Sequence, residues 1–481
     1  MKRFIPFAAA VLFCAIPVIS CGGGEEYHTG KLDFPEGASL YEKVELAARL
    51  VPEPRQLAWQ ENELTAFLHF GMNTFTGREW GDGSEDPALF APSDIDCDQW
   101  AEILSYAGFR LAILTAKHHD GFCLWPSAVT GHTIAGSPYM DGKGDIVRDF
   151  ADACRRHGLK VGLYLSPWDR NAPCYGDTPR YNEFYLAQLT ELLTSYGQID
   201  EIWLDGANGE GPDGRRQEYD WKAISETVRS LQPGAVLAVK GEDVRWVGNE
   251  DGLGRETEWS ATVLAPALYD EVIGQNEALG IAEKSGDLGS RAVLEKAGSL
   301  FWYPSEVDVS IRPGWFYHEY EDSQVKSLER LSEIYFRSVG MNSSLLLNIP
   351  PDKSGRIAAA DSVRLCEFGD WVRIMYSDNM LSGGKDVRLR KERPSAEYHV
   401  RPESKFNVVM LQEDISKGQR VESFKVETFD GNEWSEAASG TTIGYKRLLR
   451  IPLSEASRIR VTVTAARGDV YLKCPGLFFT E

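Results

Sequence analysis

The run Thr115-Ala-Lys-His-His-Asp-Gly-Phe-Cys-Leu-Trp-Pro-Ser127 gathers the groups most able to do chemistry. The adjacent imidazoles His118 and His119 stand beside Lys117, Asp120 and Trp125, directly after the apolar segment Leu111–Leu114. Burying that many polar groups unpaired would cost several kcal/mol. A buried strand that ends in them therefore ends at the rim of a cavity, where a polar ligand can satisfy them. Two sources of carboxylate fit the same rim. Asp205 follows Ile202-Trp-Leu and precedes Gly206-Ala207, as expected of an inward group at a strand end. The Gly-rich stretch from Trp246 to Trp259 reads as a long loop bearing Glu250, Glu256 and Glu258. Two carboxyl groups in different environments, one ionised and one protonated, are what glycoside hydrolysis requires. In the retaining form they lie about 5–5.5 Å apart and the ionised member attacks the anomeric carbon. Trp80, Trp125, Trp168, Trp203 and Trp315 suit a sugar, whose C–H faces stack on aromatic rings.

Other chemistries fit less well. A metallohydrolase on a barrel would place His-x-His after its first strand, whereas that strand ends in the single His69 of His69-Phe-Gly-Met-Asn-Thr-Phe75. Adjacent residues such as His118 and His119 do not readily both ligate one ion. A serine nucleophile would need a Gly-x-Ser-x-Gly elbow, and the chain has none. No cofactor is expected: the dinucleotide fingerprint and the phosphate loop are both missing from any strand-to-helix context.

The elements that must position these groups alternate from about residue 40 to 370. Strand-like runs at 65–70, 111–115, 160–165, 201–205 and 235–239 are separated by helical spacing at 98–107, 146–155, 184–196 and 221–231. Later strands are expected at Leu300–Tyr303 and Ser344–Asn348. Apolar strands alternating with amphipathic helices imply a parallel sheet covered by helices. Polar residues recur at successive strand ends (His69, His118 and His119, Tyr164, Asp205, Asn348), which points to a (β/α)8-like barrel with its site at that rim. Beyond about residue 385 short alternating runs such as Val421–Phe429 and Ile459–Val463 take over, without helical spacing. They predict a C-terminal β-sandwich over 385–481, behind a barrel over 41–375.

The 481 residues carry 51 Lys and Arg against 72 Asp and Glu, a net charge of −21, which argues against nucleic-acid partners and anionic membrane surfaces. Lys2-Arg3, the apolar run 4–19 and Val18-Ile-Ser-Cys21 read as a signal peptide over 1–21 that ends in a bacterial lipobox. Cys21 would then carry a lipid anchor, the only expected membrane contact, and residues 22–40 would be a tether. This predicts an exported lipoprotein of the bacterial cell envelope. The other six cysteines beyond Cys14 follow neither CxxC nor Cys/His spacing, so no zinc site is expected.

Several motifs in order resemble glycoside hydrolase family 29, the α-L-fucosidases. They are His69–Phe75, Lys117-His-His-Asp-Gly-Phe122 with Trp125-Pro-Ser, Gly162-Leu-Tyr-Leu-Ser166, Trp203-Leu-Asp-Gly206 and Leu345-Leu-Leu-Asn-Ile-Pro350. The resemblance implies a barrel followed by a β-sandwich, and retaining hydrolysis without a metal. It implies Asp205 as nucleophile, with His69, Glu79, His118, His119, Tyr164 and Trp203 against the fucose. Trp246-Val-Gly-Asn-Glu250 and Ser310-Ile-Arg-Pro-Gly-Trp-Phe-Tyr317 resemble the subgroup acting on α-1,3/1,4-fucosylated, Lewis-type glycans. The Gly-Asn-Glu match favours Glu250 as acid/base over Glu256 and Glu258, and Trp80, Trp125, Arg312 and Trp315 join the expected binding residues. A surface glycan-binding protein on a dead barrel is the alternative from another class; it would lack the carboxylate that Asp205 supplies.

Overall fold

The computed structural model describes residues 26–211 and 213–480. Its centre is a ring of eight parallel strands: β1 (Leu64–Leu68), β2 (Leu111–Lys117), β3 (Lys160–Leu165), β4 (Glu201–Leu204), β5 (Val236–Val239), β6 (Arg245–Trp246), β7 (Ser305–Ser310) and β8 (Ser344–Asn348). The hydrogen-bonded order is β5-β4-β3-β2-β1-β8-β7-β6. A single parallel bridge between Ala238 and Val244 joins the two ends, so the barrel is nearly closed. Strands β1 and β2 are buried along their whole length, as strands covered on both faces must be.

The helices follow from local signals. Helix α1 (Cys97–Tyr106) is capped by Asp96, which accepts the Gln99 amide, and α2 (Ile146–Arg156) by Asp145, which accepts that of Arg148. Such caps are worth about 1 kcal/mol each. Arg155 and Arg156 complement the C-terminal end of α2. Helix α3 (Thr178–Ser195) opens with proline in its first turn, and α4 (Trp221–Leu231) is capped by Asp220. Helix α5 (Leu328–Arg337) precedes β8, and α6 (Ala359–Tyr376) follows it. Their apolar faces join the outward residues of the barrel in one large core, while Phe67, Ile113, Tyr164, Trp203 and Leu346 fill the interior.

Two expectations need correction. Leu300–Tyr303 is not a barrel strand: Ser299–Trp302 pairs antiparallel with Lys31–Asp33 and Ala261–Thr262 in a small sheet outside the ring. Its apolar side chains pack there with Leu32, Val44 and Leu50. The barrel takes β7 instead, whose inward positions include Glu306 and Asp308. The expected tether is also shorter at its C-terminal side. His28–Thr29 pairs with Leu50–Val51, and Leu32 and Phe34 are buried in the same cluster. The expected signal segment and Cys21 lie outside the described residues.

The C-terminal domain packs a four-stranded antiparallel sheet (Ser395–His399, Arg458–Ala466, Val421–Phe429, Trp434–Gly440) with a three-stranded one (Arg447–Glu455, Lys405–Leu411, Gly476–Phe478). Residues of both sheets, among them Phe406, Val409, Phe424, Val426, Val461 and Leu477, share one core. Asn342 joins the domain to the barrel: its Oδ1 accepts the Tyr445 amide at 2.7 Å and its Nδ2 donates to the Glu258 carbonyl at 3.1 Å. The six cysteines of the described residues are unpaired.

Candidate active site

A cavity of about 610 Å³ opens at the C-terminal ends of the barrel strands. Asp205 follows β4 at its wall. Its Oδ2 accepts the Tyr164 hydroxyl at 2.8 Å and its Oδ1 accepts the Ala207 amide at 2.7 Å, so both oxygens are fixed in direction. Burial, reinforced by the Asp205 charge, pushes the Tyr164 phenol far above its ordinary range, and the phenol remains a donor.

Three histidines line the cavity, each with its tautomer set from behind. Asn348, at the end of β8, donates through Nδ2 to Ser310 Oγ at 2.9 Å and to the Trp315 carbonyl at 2.8 Å. Its Oδ1 therefore faces His69 Nδ1 at 2.8 Å and accepts that N–H, which leaves His69 Nε2 as an acceptor. Asn73 Nδ2 donates to the Glu79 carbonyl at 3.2 Å and approaches His118 Nδ1 at 3.4 Å, which leaves His118 Nε2 as the donor. Ser166 donates to the Trp168 carbonyl at 2.7 Å, so its Oγ accepts from His119 Nδ1, also at 2.7 Å. The His119 Nε2 then stands 3.8 Å from Asp205 Oδ2. Burial lowers all three imidazoles below their ordinary range, His69 to about 4, so at neutral pH they serve as uncharged donors and acceptors for hydroxyl groups.

The walls are aromatic. Trp203 stacks on Tyr164 with ring centres 5.5 Å apart, while Trp80, 58% exposed, stands edge-on to His119 and Trp168 at the mouth. Glu79 lines the cavity and ties down the loop after β7: it accepts the Trp315 amide at 2.8 Å and pairs with His318 Nε2 at 2.9 Å. Gly314 permits that approach, since a Cβ there would stand 2.6 Å from Glu79 Oε1. Glu250, exposed at the rim, accepts the Trp315 indole N–H at 3.3 Å.

The cavity thus gathers His69, Glu79, Trp80, His118, His119, Tyr164, Trp203, Asp205, Glu250 and Trp315. It does not gather Trp125 or Arg312. The Trp125 ring is buried in the outer core and its indole donates to Glu191 of α3 at 2.8 Å. The Arg312 guanidinium is held at 2.8 Å by both Asp361 and Asp322 and stacks on Tyr317. Nor do the other two glutamates reach the cavity. Glu256 is exposed beside Arg447 of the C-terminal domain, and Glu258 is buried against Arg245 and Arg255. Sequence reasoning missed Phe67, Val239, Lys240, Trp246, Glu283 and Asp308. Their one trace in the sequence is the alternation of acids in Ser305-Glu-Val-Asp-Val-Ser310, a two-residue period that an ordinary strand with one solvated face shows as well. Among the described residues no group of three or more His, Cys, Asp or Glu is arranged to hold a metal ion.

The cavity therefore presents an anchored carboxylate, uncharged imidazoles and aromatic faces, a set suited to a polyhydroxylated ring and to attack at its anomeric centre. Comparison with known proteins agrees. The α-L-fucosidase family profile matches residues 56–376. Alpha-L-fucosidase 1 of Arabidopsis thaliana is 40% identical over 466 residues, covering 90% of this chain and 88% of that one. The crystal structure of a "putative alpha-L-fucosidase" from Bacteroides ovatus superposes with a TM-score of 0.92 at 56% identity, over 95% of this chain and 79% of that one. A Ruminococcus gnavus GH29 fucosidase in complex with fucose superposes with a TM-score of 0.78 at 32% identity, over 90% and 95%. The chain belongs to the α-L-fucosidase family, glycoside hydrolase family 29.

Proposed function

We propose that this α-L-fucosidase is an exo-acting, retaining glycoside hydrolase that releases fucose from α-1,3/1,4-fucosylated, Lewis-type glycans. The observation that carries the reading is the Asp205 carboxylate, held from both sides by Tyr164 and Ala207 within a cavity lined by uncharged imidazoles. Asp205 attacks the anomeric carbon while Glu250 gives a proton to the departing glycosidic oxygen. The covalent fucosyl ester on Asp205 is then hydrolysed by a water that Glu250 deprotonates, so two inversions restore the starting configuration. His69 and His119 accept, and His118 donates, hydrogen bonds to the sugar hydroxyls, while Trp203 packs on its C–H face.

The linkage preference draws support from the segments that resemble the α-1,3/1,4 subgroup, because Trp246, Glu250, Pro313, Gly314 and Trp315 all line the cavity. Its volume of about 610 Å³ lies in the range that encloses a drug-sized molecule, more than one deoxyhexose fills. Incubation with a Lewis trisaccharide, a 2-fucosyl glycan and an aryl fucoside, followed by assay of free fucose, tests the reading. Release from the Lewis trisaccharide alone supports it. Preferred release from the other two would overturn the linkage assignment, and inversion of the product anomer seen by NMR would overturn the retaining mechanism.

Export as an envelope lipoprotein anchored at Cys21 belongs to the same proposal and rests on the Val18–Cys21 motif. Metabolic labelling with a fatty acid, lost in Cys21→Ala, is the corresponding test.

A further inference from the structure

Strand β7 is anomalous for a barrel. The interior of such a barrel is ordinarily filled by branched apolar side chains, yet β7 sends two carboxyl groups inward, and burying one costs several kcal/mol unless it is well satisfied. Glu306 accepts the Trp203 indole N–H at 2.8 Å, and Asp308 accepts that of Trp246, also at 2.8 Å. Both residues are almost fully buried, 1% and 4% exposed, and both indoles line the cavity. The register places Glu306 directly beside Trp246, so Asp308 stands one inward step above it, where it lines the cavity itself.

We propose that Glu306 and Asp308 are positioning residues: through their hydrogen bonds they hold Trp203 and Trp246 as the aromatic walls of the sugar cavity, so that the fit of the sugar is set from strand β7. The inference rests on the reading of this cavity as a fucoside site. An indole is flat and has two side-chain torsions, so one hydrogen bond at its nitrogen fixes the plane that a sugar face meets. An amide or hydroxyl could accept the same bond, but the carboxyl groups bring a further property. Burial pushes both well above the usual carboxylate range, so they accept the indole protons while uncharged. An ionised Asp308 would set a fixed negative charge beside Glu250, the group that must exchange a proton.

The test separates binding from chemistry. Glu306→Leu and Asp308→Leu remove the acceptor, whereas Glu306→Gln and Asp308→Asn keep an acceptor that cannot ionise. With the Lewis trisaccharide the leucine variants should raise KM about tenfold and leave kcat within about threefold, the pattern of lost uniform binding. The amide variants should return KM to within about threefold of the unaltered enzyme. Trp246→Phe, which lacks the N–H, should raise KM like Asp308→Leu, and the double variant should be no worse than either. If the leucine variants do not fold, the amide variants and Trp246→Phe still decide. A KM unchanged in Trp246→Phe, amide variants as poor as leucine variants, or a fall in kcat alone would each overturn the proposal. An unaltered enzyme that releases no fucose would instead overturn the functional reading. In that case fucose affinity measured by calorimetry on the same variants, falling in the leucine series and kept in the amide series, would still uphold the positioning role, and affinity equal across the variants would overturn it.

Discussion

The Tyr164 hydroxyl donates to Asp205 Oδ2 at 2.8 Å from the neighbouring strand, and β3 and β4 are in register such that Tyr164 lies beside Trp203, two residues before that aspartate. One residue thus orients the carboxylate and stacks on a cavity wall. The phenol cannot ionise near neutral pH, so the bond is permanent in the folded protein. Tyr164→Phe keeps the ring and removes the bond. Hydrogen bonds to charged groups contribute about 1.5–3 kcal/mol, so kcat/KM should fall by about one to two orders of magnitude while the melting temperature changes little. An unchanged kcat/KM would separate Tyr164 from the chemistry.

Asp205→Asn should preserve the fold and abolish turnover, because the amide cannot form the ester. A 2-fluoro-fucoside that traps the covalent intermediate should label a peptide containing Asp205 in the unaltered enzyme, seen by mass spectrometry. Label on any other residue removes Asp205 from the role.

His69 supplies an acid limb. Its folded value of about 4 lies below the ordinary one, so above that pH it is neutral and presents Nε2 as an acceptor. Protonation below about 4 turns that nitrogen into a donor and costs the hydrogen bond from the sugar. In Asn348→Asp a negative oxygen would face Nδ1 and favour the imidazolium, so the fall in kcat/KM should begin at higher pH than in the unaltered enzyme. A coincident acid limb in the two pH profiles would rule out His69 as its source.

How much of this was legible in the sequence follows from what each segment had to bury. Strands β1 to β5 and β8 were readable because both faces of each are packed, leaving unbroken apolar runs such as Leu64–Leu68. Strand β6 has only two residues, too few for any period, and it follows β5 without an intervening helix. Strand β7 was hidden by Glu306 and Asp308, which read as solvent-facing until the indoles they serve are known. Ser299–Trp302 looked like a barrel strand for the opposite reason, since a side sheet that covers Leu32 and Leu50 needs the same apolar side chains. Motif neighbours misled in a similar way. Trp125 and Arg312 adjoin residues of the site, yet Glu191 and Asp361 take their polar groups elsewhere. Strand-end position located the histidines and Asp205, whereas Lys240, Glu283 and Trp246 reach the cavity from loops or short strands whose path no local pattern encodes.

Deeper in the barrel, burial pushes Glu201 up to about 8, while its Oε2 accepts the Trp59 indole at 2.8 Å. The folded protein therefore holds a proton that the unfolded chain, with an ordinary glutamate, releases above about pH 4.5. Between these values the folded state binds more protons, so rising pH erodes stability, by up to roughly 1.4 kcal/mol per pH unit for one group. Glu201→Gln keeps the acceptor and removes the titration. Urea unfolding at pH 5, 6, 7 and 8 should show the variant gaining on the unaltered protein at each step, and a constant difference would mean that Glu201 does not hold the proton.

The three loop glutamates make the sharpest comparison, because their surroundings predict three different outcomes. Glu258 is 1% exposed and is shared between the buried Arg245 and the partly buried Arg255, so its removal leaves guanidinium charge uncompensated. Breaking a buried pair in this way costs about 3–5 kcal/mol, so Glu258→Ala should melt several degrees lower, and any activity it loses should be lost on every substrate alike. Glu256 itself is largely in solvent, 3.9 Å from the buried Arg447, whose guanidinium also donates to the Glu256 main-chain carbonyl at 2.8 Å and keeps that bond in Glu256→Ala, so this variant should retain the activity of the unaltered enzyme on every substrate. Glu250 alone borders the cavity, fixed to the Trp315 indole. Glu250→Ala should keep its melting temperature and lose far more activity on fucosides with poor leaving groups than on activated ones, because only the former need the proton. Azide should restore turnover of an activated substrate in that variant and give an α-fucosyl azide, since a small anion can attack the fucosyl ester where no base remains to activate water, and this second inversion restores the starting configuration. That leaving-group dependence and azide rescue in Glu256→Ala or Glu258→Ala, with Glu250→Ala unimpaired, would transfer the acid/base role to whichever glutamate displayed them.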